Sequence, residues 1–99
     1  MMPYEFHPEA ISEFQATAQY FAERQPGLEL RFILNIETTI QRICASPNSW
    51  RVIEGDVRSC LAHVFPYAVL YSIEPGHLLI IAVMHCSREP GYWRHRLVS

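Results

Sequence analysis

Residues Arg58 to Ile73 read Arg-Ser-Cys-Leu-Ala-His-Val-Phe-Pro-Tyr-Ala-Val-Leu-Tyr-Ser-Ile. After Glu74-Pro75-Gly76-His77 the chain runs from Leu78 to Arg96 as Leu-Leu-Ile-Ile-Ala-Val-Met-His-Cys-Ser-Arg-Glu-Pro-Gly-Tyr-Trp-Arg-His-Arg. Pro75 and Gly76 suit the two central positions of a type II turn: proline presets φ at the first, and glycine accepts positive φ at the second. His77 to His85 is apolar on both faces, the pattern of a strand with cover on each side. Strands are therefore predicted over Val57–Val64, Tyr67–Glu74 and His77–His85, with Phe65-Pro66 at the first junction. Polar residues gather where the last strand ends, in His85-x-x-Arg88 followed by Tyr92, Trp93, Arg94 and Arg96. A strand end is where an apolar sheet presents polar groups to a partner, so function is expected there.

Upstream of this stretch, Trp50–Glu54 reads as a further strand, closed by a Gly55-Asp56 turn and preceded by a Ser46-Pro47-Asn48-Ser49 loop. Ile33, Ile36, Ile40 and Ile43 recur at helical spacing and stop before Pro47. Ile11, Phe14, Ala18 and Phe21 form an earlier stripe, opened by Pro8 with Glu9 and Glu13 at the positive end of the helix dipole. Gln25-Pro26-Gly27 is too short a break for anything but an antiparallel helical hairpin. Tyr4–Phe6 is a short strand. The predicted class is α+β, in the order β-α-α-β-β-β, with the hairpin packed on one face of a curled, mostly antiparallel sheet.

The chain has 99 residues, one domain spanning 1–99, and half of them are apolar, as in a folded globular protein. The longest unbroken apolar run, Leu78–Met84, is far too short for a membrane helix, so no membrane partner is expected. The opening Met-Met-Pro-Tyr-Glu-Phe has neither the basic nor the apolar region of a signal peptide. Cys44, Cys60 and Cys86 are odd in number with no CxxC pair, which fits thiols of a reducing cytoplasm. His63, His77, His85 and Cys86 lack metal-ligand spacing and no phosphate-binding glycine motif is present, so neither a metal nor a cofactor is expected.

A net charge of −2 hides an asymmetry. Residues 1–56 hold eight acids against four arginines, and residues 57–99 two acids against four arginines. Every basic residue is arginine, whose planar fork grips carboxylate or phosphate in bidentate fashion. The C-terminal half is thus the anion-facing half.

Read in order, several pieces resemble the ParE/RelE superfamily of toxins from bacterial type II toxin–antitoxin modules. They are Phe6 and Pro8-Glu9-Ala10 opening the first helix, Pro26-Gly27 between the helices, Arg31-Phe32 early in the second, and Pro47 with Trp50 after it. Arg58, Phe65-Pro66-Tyr67 leading to Tyr71, and His85-x-x-Arg88-x-Pro90-x-Tyr92-Trp93 complete the set. The resemblance implies a small cytoplasmic toxin neutralised by a cognate antitoxin encoded beside it. One branch of the superfamily cleaves mRNA on the ribosome; the other poisons DNA gyrase.

Metal-free RNA cleavage needs a base, an acid and cations on the phosphorane. His85 is the acid/base candidate, Arg88 and Arg58 candidate phosphate clamps, and Tyr92 a stacking or proton-donating group. A reduced set of Glu54, Arg58 and His85 is the variant form. Three departures weigh against cleavage. The nuclease branch carries lysines on the strand held here by Ser59 to Val64, and an arginine where this chain has Ala68. A ribosome-binding enzyme also relies on phosphate neutralisation, which a net −2 does not favour. The sequence therefore favours a ParE-like toxin acting by binding, with DNA gyrase as target; mRNA cleavage on the ribosome and a non-toxic interaction module are the alternatives. Arg58, Arg88, Tyr92, Trp93, Arg94 and Arg96 are the candidate contacts to target or antitoxin.

Overall fold

In the computed structural model, which describes residues 1–97, the chain runs β1 (Tyr4–Phe6), α1 (Pro8–Arg24), α2 (Leu28–Ala45), β2 (Arg51–Glu54), β3 (Val57–Leu61), β4 (Tyr67–Glu74) and β5 (His77–His85), and ends in a 3₁₀ turn over Arg94–Leu97. All five strands read from the sequence are present, with Arg51–Glu54 and Val57–Leu61 on either side of the Gly55-Asp56 turn, so the full order is β-α-α-β-β-β-β, one strand longer than the summary order β-α-α-β-β-β. The sheet order is β1-β5-β4-β3-β2. β1 is parallel to β5, and every other neighbouring pair is antiparallel.

The helices form where the sequence places them. His7 caps α1 through its Nδ1, which accepts the Glu9 N–H at 3.0 Å, and Pro8 occupies the first turn, where no N–H is needed. Gly27 opens α2 at φ 92°, a left-handed conformation that glycine adopts without Cβ strain. Phe32, Ile36, Ile40 and Ile43 are fully buried against Val69, Tyr71, Leu78 and Ile80 of the sheet. Burial of one such side chain stabilises by ~1.5–3 kcal/mol, so this helix-facing cluster dominates the fold. On α1 the buried stripe differs from the predicted one. Ala10 is fully buried, Phe14, Ala18 and Phe21 pack on the core edge, and Ile11 is 40% exposed. The helix is rotated so that its smallest early residue meets the sheet.

The Pro75-Gly76 turn joins β4 to β5 as predicted, with Gly76 at φ 80°. β3, however, stops at Leu61 rather than Val64. The Phe65 N–H donates to the His63 carbonyl at 2.8 Å, with Val64 between them at φ 73°. The Tyr67 N–H donates to the Phe65 carbonyl at 2.8 Å across Pro66. These are two consecutive γ-turns, the first of the rare positive-φ kind. They reverse the chain before a longer strand can form.

The sheet has a second apolar face. Val57, Ala68, Leu70, Ile81 and Ala82 lie there, covered by Trp93 of the C-terminal tail. A register irregularity pairs Leu70 with Ala82 but Tyr71 with Ile80, leaving Ile81 without a counterpart on β4.

Candidate binding surface at the C-terminal tail

The tail is held by acids from distant parts of the chain, and Glu13 is the centre of that arrangement. β1 ends at Phe6, so β5 loses its strand neighbour on that side beyond Ile80. Two side chains take its place. The Val83 N–H donates to Glu13 Oε1 at 3.1 Å, and Arg96 Nη1 donates to the Ile81 carbonyl at 2.9 Å. Arg96 Nη1 also donates to Glu13 Oε1 at 3.0 Å, and the Tyr92 hydroxyl donates to Glu13 Oε2. A carboxylate and a guanidinium thus satisfy buried backbone groups that a longer β1 would have paired. Burial, and then the hydrogen bond to Glu13, push the Tyr92 phenol well above the usual tyrosine range.

Arg94 grips Glu54 through Nε at 3.0 and 2.8 Å and Nη2 at 2.7 Å, a bidentate pair. That hydrogen bonding holds the Glu54 carboxyl below its ordinary value. His95 Nε2 lies 2.7 Å from Glu9 Oε1, and this contact lowers the Glu9 carboxyl as well. Gly91 permits the approach: it sits at φ 76°, and a Cβ there would collide with the Arg94 guanidinium.

These contacts change the reading of the predicted residues. Trp93 is 3% and Arg96 7% exposed, so both are structural in this arrangement rather than part of an exposed contact surface. Trp93 is drawn in by the apolar second face, and Arg96 by the unpaired β5 carbonyl and Glu13. Tyr92 is partly buried, with the Arg88 guanidinium 3.9 Å above its ring. Arg88 and Arg94 are exposed. Arg58 is half-buried and donates from Nη1 to the carbonyls of Asn48 at 3.1 Å and Trp50 at 2.8 Å, which ties the loop before β2 to the sheet.

His85 faces the helices. Its Nδ1 accepts the Ser87 N–H at 2.9 Å, and its ring meets Tyr67 edge-on at 5.0 Å. It lines a groove of about 540 Å³ with Thr17, Tyr20, Phe21, Phe65 and Tyr67. Arg58 pairs with Tyr71, which pairs with Ile80, whereas His85 lies at the far end of β5. Their partners on β4, Tyr71 and Tyr67, are four residues apart, so at ~3.3 Å per residue the two positions lie ~13 Å apart along the strand direction. Glu54 is engaged by Arg94. The Glu54, Arg58 and His85 set is therefore not assembled. On the second face, β3 presents Ser59 and Leu61, opposite Leu70 and Ala68, and Leu61 is 63% exposed. No cation stands on that part of the strand.

Glu13 carries no local signal of its role: in the sequence it is only an acid near a helix start. The surplus of arginine in the C-terminal half and of acid in the N-terminal half was the trace available, and part of it is consumed in these internal pairs.

Residues 4–90 match the family model described as ParE toxin of type II toxin–antitoxin system, parDE. The chain belongs to this family. A chain of a solved structure described as the chromosomal ParDE TA system from P. aeruginosa is similar in fold. The TM-score is 0.75 at 13% sequence identity, covering 86% of this chain and 96% of that one. No curated protein matches the chain. The family match ends at Pro90, so the tail residues Tyr92 to Arg96 that latch onto Glu9, Glu13 and Glu54 of this ParE-family chain lie beyond it. No helix among the described residues is long and apolar enough to cross a membrane.

Proposed function

We propose that this ParE-family chain is the toxin of a type II toxin–antitoxin pair that works in the cytoplasm by binding its target, DNA gyrase, and not by cleaving RNA. Its cognate antitoxin is the neutralising partner. The observation that carries the reading is how the would-be catalytic groups are used. The Tyr92 hydroxyl is committed to Glu13, Arg58 to two backbone carbonyls, and His85 stands apart from Arg58. Cleavage needs an acid, a base and cations converging on one phosphate. A poison that acts by occupancy needs only a complementary surface, and exposed Arg88, which has no acid partner among the described residues, supplies a cation for one.

Purified protein is added to a gyrase supercoiling reaction and, separately, to ribosomes translating a defined mRNA. Loss of supercoiling with intact message is the expected result. Message cleavage in the ribosomal A site that disappears in His85→Ala or Arg88→Ala would sink the proposal in favour of the nuclease. Expression without the antitoxin is expected to arrest growth; unimpeded growth would leave only a non-toxic interaction module. Arg58→Glu is expected to weaken antitoxin binding in calorimetry, and unchanged affinity would remove Arg58 from that contact.

A further inference from the structure

β2 begins at Arg51, opposite Ser59, so the last residues of β3 have no strand beside them on that side. The Ala62 N–H donates to the Tyr67 carbonyl at 2.9 Å. Backbone groups of successive residues alternate in direction along an antiparallel ladder, so Leu61 turns its N–H and carbonyl outward, away from β4. An open edge of this kind invites an added strand. Here the acceptor that such a strand would need is already taken. Arg42 of α2 donates from Nη1 to the Leu61 carbonyl at 3.3 Å, and its guanidinium is steadied 4.8 Å over the Trp50 ring.

Beside this edge lies a hollow of about 520 Å³ lined by Arg42, Trp50, Arg51, Ser59, Leu61 and His63. None of its lining residues is an acid, and neither arginine has an acid partner among the described residues. The acids closest along the chain are placed elsewhere. Glu54 is held by Arg94, Asp56 lines a small hollow with Val52 and Arg58, and Glu37 lines another with Met1 and Tyr4. Two further carbonyls of lining residues are occupied as well: that of Trp50 accepts from Arg58, and that of His63 from the Phe65 N–H. What the hollow offers is a set of donors, the two guanidiniums, the Ser59 hydroxyl and the outward Leu61 N–H.

We infer that this hollow is a binding site for a phosphate monoester of nucleotide size. Such a group carries about two negative charges at neutral pH, which the two free arginines match. A single carboxylate would leave one of them unpaired. The flat Arg42 guanidinium and Leu61, 63% exposed, give a planar ring a surface to lie against. The volume is that of a small-molecule site, for which about 300–1,000 Å³ is usual. The site is apart from the tail held by Glu13, and it depends on neither the target nor the antitoxin of the toxin reading.

The test titrates adenosine monophosphate into the full-length protein at fixed ionic strength in a calorimeter, with inorganic phosphate, adenosine and acetate as comparisons. Saturable binding in the millimolar range or tighter is expected for the monophosphate, weaker binding for inorganic phosphate, and none for adenosine or acetate. The Arg51 side chain is exposed, so Arg51→Gln is expected to keep wild-type stability in urea. Its affinity for the monophosphate should fall about tenfold or more, the size of one charge-assisted contact. Arg42→Gln should weaken binding similarly, and Arg24→Gln, on α1, is the control with unchanged affinity. Absence of saturable binding by the wild type overturns the proposal, as does wild-type affinity in the folded Arg51→Gln and Arg42→Gln proteins. Acetate or adenosine binding as tightly as the monophosphate overturns the phosphate assignment. Tighter binding of a short oligothymidylate without terminal phosphates assigns the edge to a nucleic-acid strand and overturns it too.

Discussion

Replacing Glu13 with alanine should release the whole tail. The Glu13 side chain is 15% exposed and its partner Arg96 7%, so the pair is largely shielded from water. Glu13→Ala strands the Arg96 guanidinium beside the β5 edge and leaves the Val83 N–H without its acceptor. Removing one partner of a buried ion pair costs ~3–5 kcal/mol, and an unsatisfied buried N–H adds ~1–3 kcal/mol where water cannot reach it. Tail detachment relieves part of this by letting Arg96 reach solvent, at the expense of Trp93 burial. A net loss of about 4 kcal/mol is expected, out of a total stability of ~5–15 kcal/mol for a domain of this size. Urea unfolding followed by tryptophan fluorescence measures it, and the emission of Trp93 should shift to the red before the global transition. Arg96→Met in the Glu13→Ala background removes the stranded charge while keeping apolar bulk. It should recover at least ~2 kcal/mol, the size of coupling expected of residues in direct contact. A loss below ~1 kcal/mol for Glu13→Ala, or strictly additive effects in the double variant, would refute the role given to Glu13.

Gly91→Ala meets both a positive φ and the Arg94 guanidinium, so it should lose ~1–2 kcal/mol from backbone strain alone, with Glu54 freed from Arg94; unchanged thermal unfolding would show that the tail bends elsewhere. The carboxyls of Glu9 and Glu54 are lowered in the folded state from 4.5, so the stability they contribute is complete above that value and is lost as pH falls through their lowered ones. Unfolding from pH 6 to 3 should therefore show a decline that is shallower in Arg94→Ala, and an identical slope would contradict the pairing. Cys86 is exposed, whereas Cys44 and Cys60 are buried with thiols pushed up by desolvation. Iodoacetamide at pH 8 should modify Cys86 first, and simultaneous labelling of all three would mean the core opens on that timescale.

What could be read from the chain follows from how far each signal reaches. The isoleucine stripe of α2, the uninterrupted apolar run of β5 and the Pro75-Gly76 turn are local patterns, and each element they predict is present. β3 ends at Leu61, short of the predicted Val64, although Val64 has high strand propensity. The γ-turn at Val64 is imposed by its surroundings, with Phe65 wedged between the helices and Pro66 lacking an N–H. The acid partners of the tail leave no sequence signal for a different reason. Glu13 meets Arg96 across 83 positions and Glu54 meets Arg94 across 40, and contacts of that separation leave no periodic trace. Arginines concentrated at the C-terminus read equally well as a free cationic patch. Only the folded chain distinguishes the two that bind acids of their own chain, Arg94 and Arg96, from Arg88, which lies over an aromatic ring.

The parallel pairing of Tyr4–Phe6 with Leu78–Ile80 has a consequence for the order in which the molecule assembles. The first strand to be synthesised has no partner until the last has been made, although the helical hairpin between them is built from near-neighbour contacts. A nascent chain therefore passes through a stage with its helices formed and their apolar faces uncovered, and the sheet closes only late. Contacts so distant in sequence make for slow closure. During that interval the exposed helix faces are most open to capture by a chaperone or by a partner already present.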